Sequence, residues 1–235
     1  MRAGAGPGRG GADRRLPRVL KAFRALYGKP PAPLSDPFAL ILFENVAYLA
    51  DDARREEAFR MLRERTGLSP AGILAAPRAA LQEIARNGIL AEDRVDRLRE
   101  IAAIAVEEFG GDLAEVVRRA PKEAAKALRK FPSIGEPGAQ KILLFTRRVP
   151  VLALESNGLR ALLRLGFGRE EKGYSASYRS AQAAAQAELP ADFGVLIEAH
   201  QLLRHHGQEL CKRAVPICER CPVTKECWWF RENGG

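Results

Sequence analysis

The segment CKRAVPICERCPVTKEC, residues 211–227, holds every cysteine of the 235-residue chain: Cys211, Cys218, Cys221 and Cys227. Their spacing is C-x6-C-x2-C-x5-C. Intervals this short do not suit a relaxed disulfide framework, so the four thiols read as one shared ligand set. Thiolates select soft metals, which leaves a [4Fe–4S] cluster or a four-thiolate zinc site. Zinc modules usually pair two C-x2-C knuckles, and one such knuckle is present. Thiols kept free for a metal also imply a reducing compartment, so the expected location is the cytoplasm.

The remaining composition points to a polyanionic partner. Thirty-eight Lys and Arg residues against 29 Asp and Glu give a formal net charge of +9, a balance suited to phosphate. No run of eighteen apolar residues exists, so no membrane span is expected. Residues 1–15, MRAGAGPGRGGADRR, are basic and Gly-rich with no apolar h-region. They read as a disordered basic tail rather than a secretory leader.

Beyond the tail the pattern is helical throughout, and no useful period-two stretch appears, so the expected fold is all-α. Leu16–Tyr27 reads as a short amphipathic helix followed by the Pro-rich link GKPPAPLSDP. Asp36 is placed to cap a strongly apolar helix that opens at Pro37. Further helices are expected over 54–66, 69–75, 78–87, 92–109, 112–119, 122–130, 137–148, 157–165, 178–187 and 193–206.

Between the helices at 122–130 and 137–148 lies Phe131-Pro132-Ser133-Ile134-Gly135. An apolar residue, a tight turn ending in Gly and a new helix N-terminus together present backbone N–H groups and a helix dipole to an anion. Ser133, Ile134, Gly135 and Gly138 would then hold one DNA phosphate, positioning a duplex without reading its sequence. This segment resembles the helix-hairpin-helix of the endonuclease III superfamily of DNA glycosylases, whose turn usually reads L-P-G-V-G. The cysteine spacing, preceded by HHGQELC, resembles the iron–sulfur loop of the same family. The resemblance covers roughly residues 34–231. It implies a [4Fe–4S] cluster on the four cysteines and two helical domains flanking a DNA-binding cleft. Residues 34–150 would form a six-helix barrel containing the hairpin at 122–148, and 16–33 with 151–231 a cluster domain. The partner implied is double-stranded DNA carrying a damaged or mispaired base, bound by a monomer in the nucleoid.

Base removal passes through a sugar with positive charge, which a nearby carboxylate stabilises while an acid protonates the departing base. The resemblance puts Glu155, in Ala153-Leu154-Glu155-Ser156-Asn157, at the position of the family's catalytic Asp. Lyase-active members carry a Lys two residues after the last hairpin Gly. That position is Pro137 here, which has no nucleophile. Lys141 stands one helical turn further on and reads as a solvated lysine. Glu44 lies inside the apolar run PFALILFENVAY, where a buried acid with a raised pKa is expected. Counted from Asp36-Pro37 it matches the catalytic Glu of the adenine–DNA glycosylase branch, and Asn157 matches an Asn of that branch. Glu44, Glu155 and Asn157 therefore resemble a glycosylase site without a lyase lysine.

Flipping a base out of the duplex needs a side chain to fill the gap. Tyr48, Leu49 and the Asn87-Gly88-Ile89-Leu90 turn occupy the matching loops of the family, with Leu49 and Ile89 as the expected DNA contacts. Lys212 and Arg213 are expected to face phosphates, as basic residues of this loop do in the family. His200, His205 and His206 read as packing or capping residues. The function implied is a monofunctional base-excision-repair glycosylase. The rival is a catalytically inactive protein that binds damaged or distorted duplex, favoured by Pro137 and by Glu in place of Asp at 155.

Overall fold

The computed structural model describes residues 14–233. Of the expected tail at 1–15, residues 1–13 lie outside the described residues, and Arg15 already opens the first helix. The described chain is all-helical with no strand, and two compact units can be distinguished. One holds residues 31–155 and 191–197; the other holds 14–30, 156–190 and 198–233.

The first unit is built on α2 (Pro37–Asn45), whose residues Pro37 to Leu42 are all buried. Asp36 caps it by accepting the Ala39 N–H at 2.7 Å, and Pro37 fills the first turn, where a missing N–H costs nothing. Around it run α3 (Asp52–Thr66), α4 (Pro70–Ala75), α5 (Arg78–Ala85), α6 (Ala91–Phe109), α7 (Leu113–Arg118), α8 (Pro121–Leu128) and α9 (Glu136–Phe145). The long α6 packs on α2, α4 and α5, while α2 also meets α3, α7 and α9. Leu40, Ile41, Leu42, Leu62, Ile73, Leu81, Ile84, Leu98, Ile101 and Leu128 close the core. Two loops of this unit, after α2 and after α5, are joined by an antiparallel bridge between Tyr48 and Ile89.

Several boundaries differ from the sequence expectation for local reasons. The helix expected over 137–148 stops at Phe145, because Arg147 turns left-handed (φ 56) and the Arg148 N–H returns to Leu143 O at 2.8 Å. The helix expected from 178 begins at Tyr174; the Ser177 hydroxyl accepts the Glu171 N–H and fixes the entry. The polar stretch there hides the apolar period that would have revealed it.

The second unit contains α1 (Arg15–Tyr27), α10 (Ser156–Leu165), α11 (Tyr174–Gln186) and α12 (Phe193–Glu209) from Glu198 onward. Two single 3₁₀ turns at Cys218–Arg220 and Thr224–Glu226 carry the cysteine loop, which ends in α13 (Trp228–Asn233). That last helix was not expected from the sequence.

In the hairpin, Ser133 holds φ 62, where the family motif has its first Gly, while Gly135 sits at φ −83 as the N-cap of α9. The left-handed strain therefore falls on a residue with a Cβ, at a cost of about 1–2 kcal/mol. Ser133→Gly removes it, offset in part by the freer unfolded chain, so a gain of about 0.5–1 kcal/mol is expected in urea unfolding. Unchanged or lower stability would show that the turn does not hold Ser133 in this conformation.

Candidate functional site

In the second unit the four cysteines line one cavity together with Ala161, Arg164, Leu165, His206 and Leu210. None is in a disulfide. Among the described residues, no three His, Cys, Asp or Glu side chains converge as they would on a single ion; the thiols instead surround a space. Burial first, and then the other cysteines, push the Cys218 thiol up; burial likewise lifts Cys221 to about 11 and raises Cys227. Such thiols ionise only when a cation compensates them.

The cysteine loop has little regular structure, and two arginines one turn apart on α10 hold it. Arg164 donates to the carbonyls of Lys212 at 2.7 Å and Arg213 at 3.1 Å, and reaches Cys211 Sγ at 3.5 Å. Its guanidinium also lies 5.0 Å from the Trp229 ring centre. Arg160 donates to Cys211 O at 2.9 Å, Gly207 O at 2.7 Å and Asn157 Oδ1 at 2.8 Å. Gly207 permits the close crossing of α10 and α12, since a Cβ there would stand 2.4 Å from Asn157 O. On the other wall, buried His206 stacks on Phe23 at 3.9 Å. Its Nδ1 meets the Tyr27 hydroxyl at 2.9 Å and its Nε2 meets Cys221 Sγ at 3.7 Å. Burial lowers the His206 pKa to about 4, and burial raises that of the Tyr27 phenol. Both are thus neutral near pH 7, with Tyr27 able to donate to Nδ1 and the Nε2–H left for the cysteine. His206 does pack, as expected, yet it also touches Cys221. Sequence reading missed Arg160, Arg164 and Tyr27; the i, i+4 arginine pair ahead of the loop was the available signal.

Asn157 is half-buried and lines a basic pocket with Ser156, Arg160, Gly207, Gln208, Lys212 and Arg213. Lys212 and Arg213 are exposed, while their carbonyls are held from behind by Arg164.

The first unit holds the other site residues. Glu155 is half-buried at its chain boundary, following the buried Leu152, Ala153 and Leu154. Glu44 departs from expectation. It is exposed rather than buried, because α2 ends one residue later and the buried face is taken by Leu40, Ile41, Leu42 and Asn45. Its carboxylate forms an ion pair with the Lys141 ammonium of α9. Lys141 also departs: its side chain is only 16 % exposed and lies 5.8 Å from the Phe145 ring centre, so it is not a freely solvated lysine. Pro137 occupies the second position of α9, and Gly138 packs against Ile134 with room for no more than ordinary contact. Leu49 and Ile89 are exposed at the two bridged loops.

No family model matches the chain. Its sequence is 24 % identical over 200 residues to endonuclease III of Thermotoga maritima, covering 85 % of this chain and 86 % of that one. It is 23 % identical over 175 residues to a putative DNA repair glycosylase of Methanocaldococcus jannaschii, covering 73 % and 76 %. The fold matches a non-covalent endonuclease III–DNA complex with a TM-score of 0.72 at 18 % identity, covering 93 % of this chain and 96 % of that one. Over most of its length the chain is thus similar in sequence to endonuclease III and to a DNA repair glycosylase, and its fold is that of endonuclease III. In the first unit, the pairing of Glu44 with Lys141 joins a carboxylate and an amine from two core helices. A double-mutant cycle of Glu44→Gln and Lys141→Met is expected to give a coupling of about 0.5–1 kcal/mol in urea unfolding. Additive effects would mean that the pair does not persist in solution.

Proposed function

We propose that this chain is a monofunctional base-excision-repair DNA glycosylase, releasing a damaged or mispaired base from duplex DNA without Schiff-base lyase chemistry. The observation that carries this reading is the state of the amine: Pro137 occupies the lyase position, and Lys141, one turn on, is engaged by Glu44. Glu155 supplies negative charge to the sugar as its bond to the base breaks. Glu44, a carboxylate in its ion pair, relays a proton from the adjoining Lys141 ammonium to the departing base, leaving the lysine as the neutral amine. Asn157, braced by Arg160, orients the sugar–phosphate or the attacking water through its amide.

Ser133, Ile134, Gly135 and Gly138 clamp one phosphate at the start of α9, where the Gly135 cap leaves space for an anion. Lys212 and Arg213 engage further phosphates, and Leu49 and Ile89 enter the gap left by the flipped base. Cys211, Cys218, Cys221 and Cys227 would hold a [4Fe–4S] cluster. Four free thiols spread around a cavity, with Arg164 and His206 directed at two of the sulfurs, fit a multi-iron group better than one zinc ion. When bound, such a cluster supplies covalent ties that hold the loop carrying Lys212 and Arg213. No described helix is long and apolar enough to cross a membrane. A thiolate-held cluster suits a reducing cytoplasm, where the protein acts as a monomer on nucleoid DNA.

Duplexes bearing single lesions test the chemistry. Base release is expected to leave an intact strand that breaks only in hot alkali, with no adduct trapped by borohydride. Glu44→Gln and Glu155→Gln each lower release by about 100-fold or more, while DNA affinity changes little. An adduct that vanishes in Lys141→Ala would make the enzyme a lyase through a displaced amine. Tight binding to distorted DNA with no base released from a broad panel would make it a non-catalytic binder.

The cofactor is tested separately. Protein purified without oxygen is expected to be brown and to hold about four irons per chain, and Cys218→Ser to lose both metal and loop order. Colourless protein with one zinc per chain after iron-replete expression overturns the cluster.

A further inference from the structure

The contact between His206 and Cys221 has a single polarity once that thiol becomes a metal ligand. Buried His206 lies stacked on Phe23 of α1, with ring centres 3.9 Å apart, so the directions of its two nitrogens are fixed. Nε2 meets Cys221 Sγ at 3.7 Å, and Nδ1 meets the Tyr27 hydroxyl at 2.9 Å. A free Cys221 thiol could donate to Nε2 and leave an Nδ1–H for the phenol oxygen. A thiolate only accepts, so Nε2 must then carry the proton. Nδ1 becomes a bare acceptor in a buried place, and the Tyr27 O–H is the donor that meets it.

An N–H directed at a ligand sulfur draws charge from it and stabilises the more negative, reduced state of the group it binds. A hydroxyl donating to the far nitrogen polarises the ring and strengthens that N–H as a donor. Burial of the imidazole excludes water and enlarges both effects. Arg164, 3.5 Å from Cys211 Sγ, acts in the same sense, yet its guanidinium also carries the carbonyls of Lys212 and Arg213. The two ring nitrogens of His206 instead meet one phenol and one sulfur.

Resting on the [4Fe–4S] reading above, we propose that Tyr27 and His206 are positioning residues that raise the cluster's reduction potential, His206 by donating to Cys221 and Tyr27 by acting through the ring. The two side chains stand 179 positions apart in sequence, so the first helix of the second unit belongs to the electronic surroundings of a loop near the other end of the chain. Tyr27→Phe isolates the effect. The ring keeps its near-perpendicular contact with His205 at 4.6 Å, and Phe23 still holds His206, so the hydroxyl alone is deleted.

Spectroelectrochemical titration of the full chain, loaded with iron without oxygen and free of DNA, tests this, with iron counted in every sample. Tyr27→Phe is expected to keep its iron and to lower the equilibrium constant for reduction by about threefold. His206→Leu is expected to lower it by about tenfold, which is about 59 mV for one electron. His206→Gln, whose amide can still donate to the sulfur, should fall between His206→Leu and wild type. A side chain that only packs would change how much iron is held and leave the potential of the loaded fraction where it was. An unmoved or raised potential in loaded Tyr27→Phe overturns the proposal while the cluster stands. Should His206→Leu fail to load, His206→Gln takes its place, and a wild-type potential together with unmoved Tyr27→Phe overturns the proposal in the same way. Wild-type protein that takes up no iron overturns the cluster reading itself.

Discussion

The side-chain amide of Asn45, fully buried at the end of α2, donates from Nδ2 to Ile41 O and to Pro132 O, each at 3.0 Å. One donor closes the last turn of the central helix; the other reaches the hairpin. A buried amide NH2 without partners costs about 1–3 kcal/mol, so the two Nδ2 bonds are held firmly, while the buried Oδ1 finds no partner. Glu44 immediately precedes Asn45, Ser133 immediately follows Pro132, and the apolar loop at Tyr48 and Leu49 leaves the same helix end. The carboxylate proposed as catalytic, the turn proposed to hold a phosphate and the apolar loop therefore share one anchor. A shift of about 1 Å in such groups can cost about 100-fold in rate, which gives a physical reason to place a polar anchor in an apolar core.

The second unit solves a different problem. Its cysteine loop carries little regular hydrogen bonding, so its carbonyls need outside donors. Arg160 and Arg164 provide them from successive turns of α10, and planar guanidinium groups can serve several carbonyls at once. Arg160 also holds Asn157, so the residues that shape the loop and the amide assigned to the sugar belong to one network. His206, with Tyr27 behind it, meets the loop from the other side at Cys221. Cysteine loop and basic pocket are thus braced by side chains outside the four cysteines.

The first unit holds backbone strain at exposed tips. Ser133, Leu49 and Leu90 each hold a left-handed conformation with a side chain present. Each follows or precedes a rigid support: the Asn45 link for the first, the Tyr48–Ile89 bridge for the others. Sequence alone shows no strain at any of them, because a serine in a turn and a leucine in a loop are ordinary compositions.

The amino-acid sequence by itself determined the all-helical class, the cap and Pro start of α2, the turn ahead of α9, the absence of an amine at 137 and the four-thiol set. These are local facts, set by periodicity, helix-end chemistry and residue identity. Tertiary structure alone decided that Glu44 lies exposed beside Lys141 rather than buried in apolar surroundings, since residues 44 and 141 are far apart in the chain and α2 turns its other face to the core. It also decided that Arg160, Arg164 and the Tyr27–His206 pair surround the cysteines. Such pairings arise where helices cross, and no short-range pattern records which faces will meet.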